Sequence, residues 1–474
     1  MQQVIQFLKS DSWKLLAFLA LVCLVCILLS ALLGTVVNVV IVCILLLFAS
    51  VYFIYRNPVH GLTITLSIAF LLPLFLKMFR LYSIPITTLI ELINLLLFAI
   101  LIIKGKFSGW KSLPGILMLL WAGLQFAEIF NPNSQSRVAG FLAMRATIMV
   151  VLGFFNTYSA IESKEDVYKL IHGWMVLGLS AALYGIYQEY FGLPSYDFAW
   201  ATVDEFRYKL LFTWGRLRKF SFFTSSSEFG LVMVYSGLGA LVMGLSPLGT
   251  FRKRIWFLVL AGLMFMAMMF SGSRTAMILM VAGGLFLAAL TFWRSALIMI
   301  ACIGFLAILL VFKPTSSKAL RVMLTAFEGT EDASMNVRLI NQDIIRGYIR
   351  NAPFGFGIGS TGYYGAKYSP NSFIGTFPPD SELVKIAIET GWIGLFLWCI
   401  LLILIFAYGV NTFFRARDSE IKALLAVPLI VFCAMIIGLY PQECFRAPVL
   451  GTLFTFMIGL IAKLKALDDQ SVTH

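Results

Sequence analysis

The sequence predicts an all-α, polytopic integral membrane protein with about 14 transmembrane helices. Three observations carry that expectation. The 474 residues are 60% hydrophobic and 12% charged, about half the charge content usual for a soluble domain. Mean hydropathy is +0.91, more apolar sequence than a single soluble core of this length requires. Apolar runs recur from end to end, without the alternation of period two that marks an outer-membrane barrel.

Taken in order, the expected spans are 15–33, 36–54, 61–79, 84–103, 112–130, 138–158, 170–191, 229–247, 255–271, 275–293, 296–312, 381–410, 422–440 and 448–462. The first follows Lys9 and Lys14 and is too long for a signal-peptide core, so it reads as a retained span. With the N-terminus in the cytoplasm, every inner connection carries a cation. These are Arg56, Lys104/Lys106/Lys111, Lys164/Lys169, Arg252/Lys253/Arg254, Arg294, Arg415/Arg417/Lys422 and Lys463/Lys465. The net charge of +13 is then largely topogenic, and no nucleic-acid partner is expected.

The chain divides into N-terminal spans (1–191), an outer loop (192–228), central spans (229–312), a large outer loop (313–380) and C-terminal spans with a short cytoplasmic tail (381–474). Structureless loops of this length are uncommon unless functional. Both are basic, against the topological bias, and an anionic ligand on the outer face explains that. Of the seven cysteines, all but Cys444 fall inside spans, so neither a disulfide framework nor a CxxC metal site is expected.

Residues 334–350 read as an amphipathic helix lying on the outer membrane surface. Val337, Ile340, Ile344 and Tyr348 form its apolar stripe and Arg338, Gln342, Arg346 and Arg350 its polar one. Arg346 and Arg350 suit lipid phosphates, and Arg338, facing the loop, suits a ligand. Asn351-Ala-Pro-Phe-Gly-Phe-Gly-Ile-Gly359 is either a tight turn or a phosphate cradle, with neither Rossmann nor P-loop spacing.

Arg274, in the short connection Ser271-Gly-Ser-Arg274, lies level with lipid phosphates. It either snorkels or binds a ligand. Arg216, Arg218 and Lys219 close the first outer loop, with Ser226 or Ser227 as a helix cap and Glu228 at the positive helix end. Asp380, Ser381 and Glu382 open a span. Glu382, Lys385 and Glu389 share one face of it, as a self-neutralising cluster or as working groups. Ionisable side chains at such a place mark function by default. Asp380, Glu382 and Glu389 are the catalytic candidates, with Asp380 preferred as an outward-facing general base. His60 and His172 fall on the cytoplasmic side and His474 ends the chain, so no outer histidine is available; metal-free, cofactor-free chemistry is expected.

Four blocks, in order, resemble the O-antigen ligase/polymerase superfamily of bacterial cell-envelope proteins. They are Arg218…Phe222-Phe223…Phe229-Gly230, Ser271-Gly-Ser-Arg274-Thr-Ala, Arg338…Pro353-Phe-Gly-Phe-Gly-Ile-Gly359 and Asp380…Glu389-Thr-Gly391-Trp-Ile-Gly394. The resemblance covers roughly residues 200–400. It implies a GT-C-like, metal-independent, inverting glycosyltransferase of the bacterial inner membrane with its active site facing the periplasm. The implied donor is an undecaprenyl-diphosphate-linked oligosaccharide, bound through Arg218 and Arg274, with Arg216, Lys219 and Arg338 as further contacts. The ligases carry histidine where this chain has Asp380, which favours a repeat-unit polymerase whose acceptor is another lipid-linked glycan. A ligase acting on lipid A-core, a protein O-oligosaccharyltransferase and a lipid-linked oligosaccharide flippase are the alternatives. A flippase would place its charges near mid-membrane in repeated halves, whereas here they gather on one face.

Overall fold

The computed structural model describes residues 50–81, 86–213, 216–291 and 333–471. Helices dominate it: α1 (Val59–Met78), α2 (Ile86–Ile103), α3 (Leu113–Glu128), α4 (Arg137–Ala160) and α5 (Lys164–Tyr190) come first. The short α6 (Ser195–Thr202) and α7 (Glu205–Leu211) follow, then α8 (Ser226–Leu245), α9 (Phe251–Phe270) and α10 (Arg274–Thr291). The rest is α11 (Ala333–Asn351), α12 (Gly362–Tyr368), α13 (Phe373–Thr376), α14 (Glu382–Arg415), α15 (Ser419–Gly438) and α16 (Pro448–Ser471), with a 3-10 turn at Cys444–Arg446.

Among the described residues, nine helices are long and apolar enough to cross a membrane, and α2 and α3 are shorter apolar helices. Each corresponds to an expected span. Spans 15–33 and 296–312, most of 36–54 and the loop 313–332 lie outside the described residues, so the count of 14 is not reached here. One departure from an all-α chain is a two-residue ribbon, β1 (Phe212–Thr213) antiparallel to β2 (Arg216–Leu217).

Local sequence sets the helix ends. Ser112, Ser136 and Ser163 cap α3, α4 and α5, each accepting a backbone N–H from the first turn. Ser225, rather than the expected Ser226 or Ser227, caps α8 by accepting from Glu228 N–H at 3.0 Å. Ser381 caps α14, as the run Asp380-Ser-Glu suggests.

The described helices bury a continuous apolar core running through α1, α4, α5, α8, α10 and α14 to α16. Across the bundle α10 packs on α15, α15 on α16, and α16 on α4. One end is tied by Lys164 bridging Asp418 and Glu420, and by Asp468 accepting from Arg417 and Asp418 N–H. The opposite end carries α6, α7, the ribbon, α11–α13 and every candidate site residue that the structure describes.

Helix α11 carries a second apolar face beside the expected stripe. It seats Ile345 and Ile349 against Phe356, Ile374, Phe377, Val384 and Ile388, on α14 and its approach. The stripe expected to face the membrane is the one left outward: Ile340, Ile344 and Tyr348 are exposed. Isoleucines sit on two adjacent faces, and periodicity alone does not say which one finds a protein partner.

Candidate functional site

Helix α14 is not continuous. Gly391 takes φ 69° and ψ −176° inside it, a left-handed backbone that breaks the helix nine residues after Glu382. Into this break docks the glycine turn after α11. Phe356 N–H donates to Ile388 O at 2.9 Å, Gly357 N–H to Glu389 O at 2.9 Å, and Ile393 N–H to Pro353 O at 3.3 Å. A Cβ on Gly391 would collide with the Pro353 carbonyl, and one on Gly355 with the backbone of Glu389 and Gly391. The turn is held from its other side by the α3–α4 connection, where Asn131 and Asn133 donate to the carbonyls of Phe354 and Gly355. The glycine segment is therefore a tight turn wedged into a helix; its N–H groups go to protein carbonyls and to Glu389, not to a phosphate cradle.

Beside this wedge is a cavity of about 690 Å³. Asp380, Glu382, Lys385, Glu389 and Glu443 supply its charges, and Trp121, Tyr363, Tyr364, Phe377, Trp398 and Phe445 its aromatic walls. The expected common face of Glu382, Lys385 and Glu389 is thus real and lines one space. The three acids differ. Glu389 accepts from Gly359 N–H at 3.0 Å and is buried. Glu382, also buried, accepts from Phe445 N–H at 3.2 Å, joining α14 to the α15–α16 connection. Asp380 is exposed at the rim, its Oδ2 accepting from Asn341 Nδ2 on α11 at 3.1 Å. Among the described residues, no three His, Cys, Asp or Glu side chains converge as a metal-binding group.

The arginines form a second cluster at the same end. Arg218 Nε donates to Ser271 O at 2.8 Å, and its backbone N–H to Leu211 O at 2.8 Å. Burial, and next the nearby Arg274 guanidinium, push Arg218 down to about 10. Arg218 lies against Ser271 and Gly272, in the connection that leads to Arg274, so two guanidiniums make this edge, the arginine notch, electropositive. Neither lines the acid-bearing cavity. Lys219 pairs with Glu189 at 3.7 Å. The side chains of Arg216 and Arg338 lie outside the described residues; their backbones stand in β2 and α11.

The sequence reading missed what holds the arginine loop. Lys77, at the end of α1, forms a 3.0 Å ion pair with Asp197 of α6, the two side chains being 2% and 0% exposed. Lys77 Nζ also donates to Ser221 O at 2.9 Å and stands over the Phe220 ring at 4.6 Å. Asp197 accepts further from Tyr184 OH at 2.7 Å and Gln188 Nε2 at 2.8 Å. Ser221, at φ 50°, is fixed by Gln188 on its N–H and by Ala181 O on its hydroxyl. A buried, multiply hydrogen-bonded ion pair thus pins the strained residue three positions after Arg218. Its available signal was a lysine inside an apolar run and an aspartate among the aromatic residues that open the first outer loop.

No curated protein matches the chain. Residues 259–399, which include Arg274, Asp380 and the helix break at Gly391, match the family model described as O-antigen ligase, and this supports the O-antigen ligase/polymerase superfamily.

Proposed function

We propose that the protein is a polysaccharide repeat-unit polymerase. It transfers a glycan from a polyprenyl-diphosphate donor to a lipid-linked acceptor glycan at the periplasmic face of the bacterial inner membrane. The observation that carries this reading is an acid-bearing cavity with aromatic walls, together with Arg218 held on the connection that leads to Arg274. Aromatic walls with a few convergent polar groups suit a sugar ligand.

In the proposed step the acceptor sugar hydroxyl attacks the anomeric carbon. The new C–O bond forms as the bond from that carbon to the diphosphate oxygen breaks, which inverts the centre. The hydroxyl proton passes to the Asp380 carboxylate, and the electron pair of the broken bond leaves with the polyprenyl diphosphate. Arg218 and Arg274 stabilise that leaving group; guanidinium forks match phosphate oxygens bidentately and stay charged when partly dry. Glu382 and Glu389 position the helix mouth. Arg216, Lys219 and Arg338 stay candidate donor contacts, Lys219 sharing its charge with Glu189.

A ligase is the second reading, favoured by the description of the matching family model. Asp380, where the resemblance implies histidine for ligases, favours the polymerase. Reconstitution with a lipid-diphosphate oligosaccharide tests both. Longer lipid-linked chains and released polyprenyl diphosphate are the expected products. Transfer only to lipid A-core would make it a ligase, and no diphosphate release would sink the transferase reading.

A further inference from the structure

Between α2, α4 and α16 lies a second space, a groove of about 180 Å³ whose walls include Ile90, Leu142, Met149, Val150 and Phe456. Its polar end is Arg145, two turns into α4, with Glu91 of α2. An arginine there interrupts a helix that is otherwise apolar from Val138 to Phe155. Charges inside membrane-length helices are costly and mark ligand paths by default. Glu91 Oε1 takes one guanidinium N–H at 2.9 Å; the Arg145 side chain is still 45% exposed and that of Glu91 17%. Guanidinium has five N–H donors, so a single partner leaves a fork open to an oxyanion.

The groove adjoins the acid-bearing cavity, for Thr87, Ala143, Ala146, Val150, Tyr364 and Phe445 line both. A headgroup at Arg145 would therefore deliver whatever it carries toward Asp380. The site is distinct from the Arg218–Arg274 edge, since neither of those residues lines the groove. Since α10 packs on α15, α15 on α16 and α16 on α4, the two arginine sites flank the α15–α16 pair. The connection of that pair, through Phe445 N–H, meets Glu382. Two guanidinium-bearing sites, one of them in a groove beside the acid-bearing cavity, suit two phosphate-bearing substrates.

We propose that Arg145 and the α2–α4–α16 groove hold the acceptor's long-chain lipid phosphate: the phosphate on the guanidinium, the first carbons of the chain along the apolar wall, and the glycan in the acid-bearing cavity. The inference rests on the polymerase reading, in which the acceptor as well as the donor is a glycan on a long-chain lipid phosphate. The acid at Glu91 selects nothing by itself. It holds the guanidinium in the groove rather than letting it snorkel away.

The test uses the full chain in nanodiscs with a polyprenyl diphosphate bearing a photoreactive group on its first isoprenoid unit. Two labelled regions are expected, one near α10 and one on α4 or α16. Arg145→Ala should abolish the second and spare the first, and Arg145→Lys should restore part of it. In turnover, Arg145→Ala should raise KM for the lipid-linked acceptor about tenfold to a hundredfold and leave donor KM unchanged. A lipid-free acceptor glycan should show no such change. Labelling near α10 alone, or equal loss of both KM values, overturns the inference while the transferase reading stands. Displacement of the α4–α16 label by equimolar phosphatidylglycerol overturns it too, marking an ordinary membrane-lipid contact. No labelling at either region overturns the transferase reading and this inference together.

Discussion

Glu389 accepts a hydrogen bond from Gly359 N–H on its carboxylate at 3.0 Å, while its own carbonyl accepts from Gly357 N–H at 2.9 Å. One residue thus clamps the glycine turn twice, once through side chain and once through backbone. Glu389→Gln keeps an acceptor oxygen and should keep thermal stability and most activity. Glu389→Ala leaves a buried N–H without its partner and should lose about 1–3 kcal/mol, read as a lowered Tm in detergent. Equal inactivation of both variants at unchanged Tm would instead make Glu389 the base.

Asp380 has the opposite profile, exposed and hydrogen-bonded by Asn341. Asp380→Asn preserves shape but accepts no proton, so the transfer rate should fall by about 10²–10⁴. Stability should change by no more than about 0.5 kcal/mol, as for other surface substitutions. Initial rates and Tm, measured together, decide it; an unchanged rate removes Asp380 as the base.

Arg218 is pushed down to about 10, by burial first and by Arg274 second, from its ordinary, higher value. A cation whose folded value is depressed weakens the fold at every pH below about 10, and that deficit shrinks as pH rises above about 10 toward the ordinary arginine value. At neutral pH, then, an anion in the notch should stabilise the protein. Pyrophosphate at a hundred times its Kd should add about 2.7 kcal/mol. The accompanying rise in Tm should vanish in Arg218→Ala and in Arg274→Ala. A rise of the same size in all three proteins places the anion elsewhere.

Lys77 and Asp197 neutralise each other where neither can reach water. Removing one partner strands the other, so Lys77→Ala or Asp197→Ala should each lose about 3–5 kcal/mol. Lys77→Met combined with Asp197→Leu should lose less than either single change, because no unpaired charge is left. Differential scanning fluorimetry of the three variants gives the comparison. Lys77→Ala should also weaken the response to pyrophosphate, since Ser221, three positions after Arg218, loses the Lys77 contact to its carbonyl.

Apolar runs and cap residues show in a sequence because they act over a few positions. Eleven expected spans therefore meet their helices, and Ser381 its cap. The shared face of Glu382, Lys385 and Glu389 was legible for the same reason, being set by helical spacing. What spacing does not encode is which partner a segment meets. The isoleucine face chosen by α11, the seat of the glycine turn and the Lys77–Asp197 pair all depend on contacts far along the chain. Arg145 was hidden differently. It sits in a run apolar enough to be read as a plain span, and its meaning appears only when α2 and α16 close a groove around it.

The wedge at Gly391 also constrains the order of assembly. Asn131 and Asn133 emerge more than 220 residues ahead of the Phe354 and Gly355 carbonyls they hold, and the Glu389 and Gly391 backbone follows later still. Contacts of such long sequence separation form late and slowly. The N-terminal helices can insert in the bilayer first, yet the mouth of the cavity stays unbuilt until α14 arrives. A ribosome that stalls before Asp380 would leave a membrane-inserted chain that carries Arg218 and Arg274 but none of the three acids Asp380, Glu382 and Glu389.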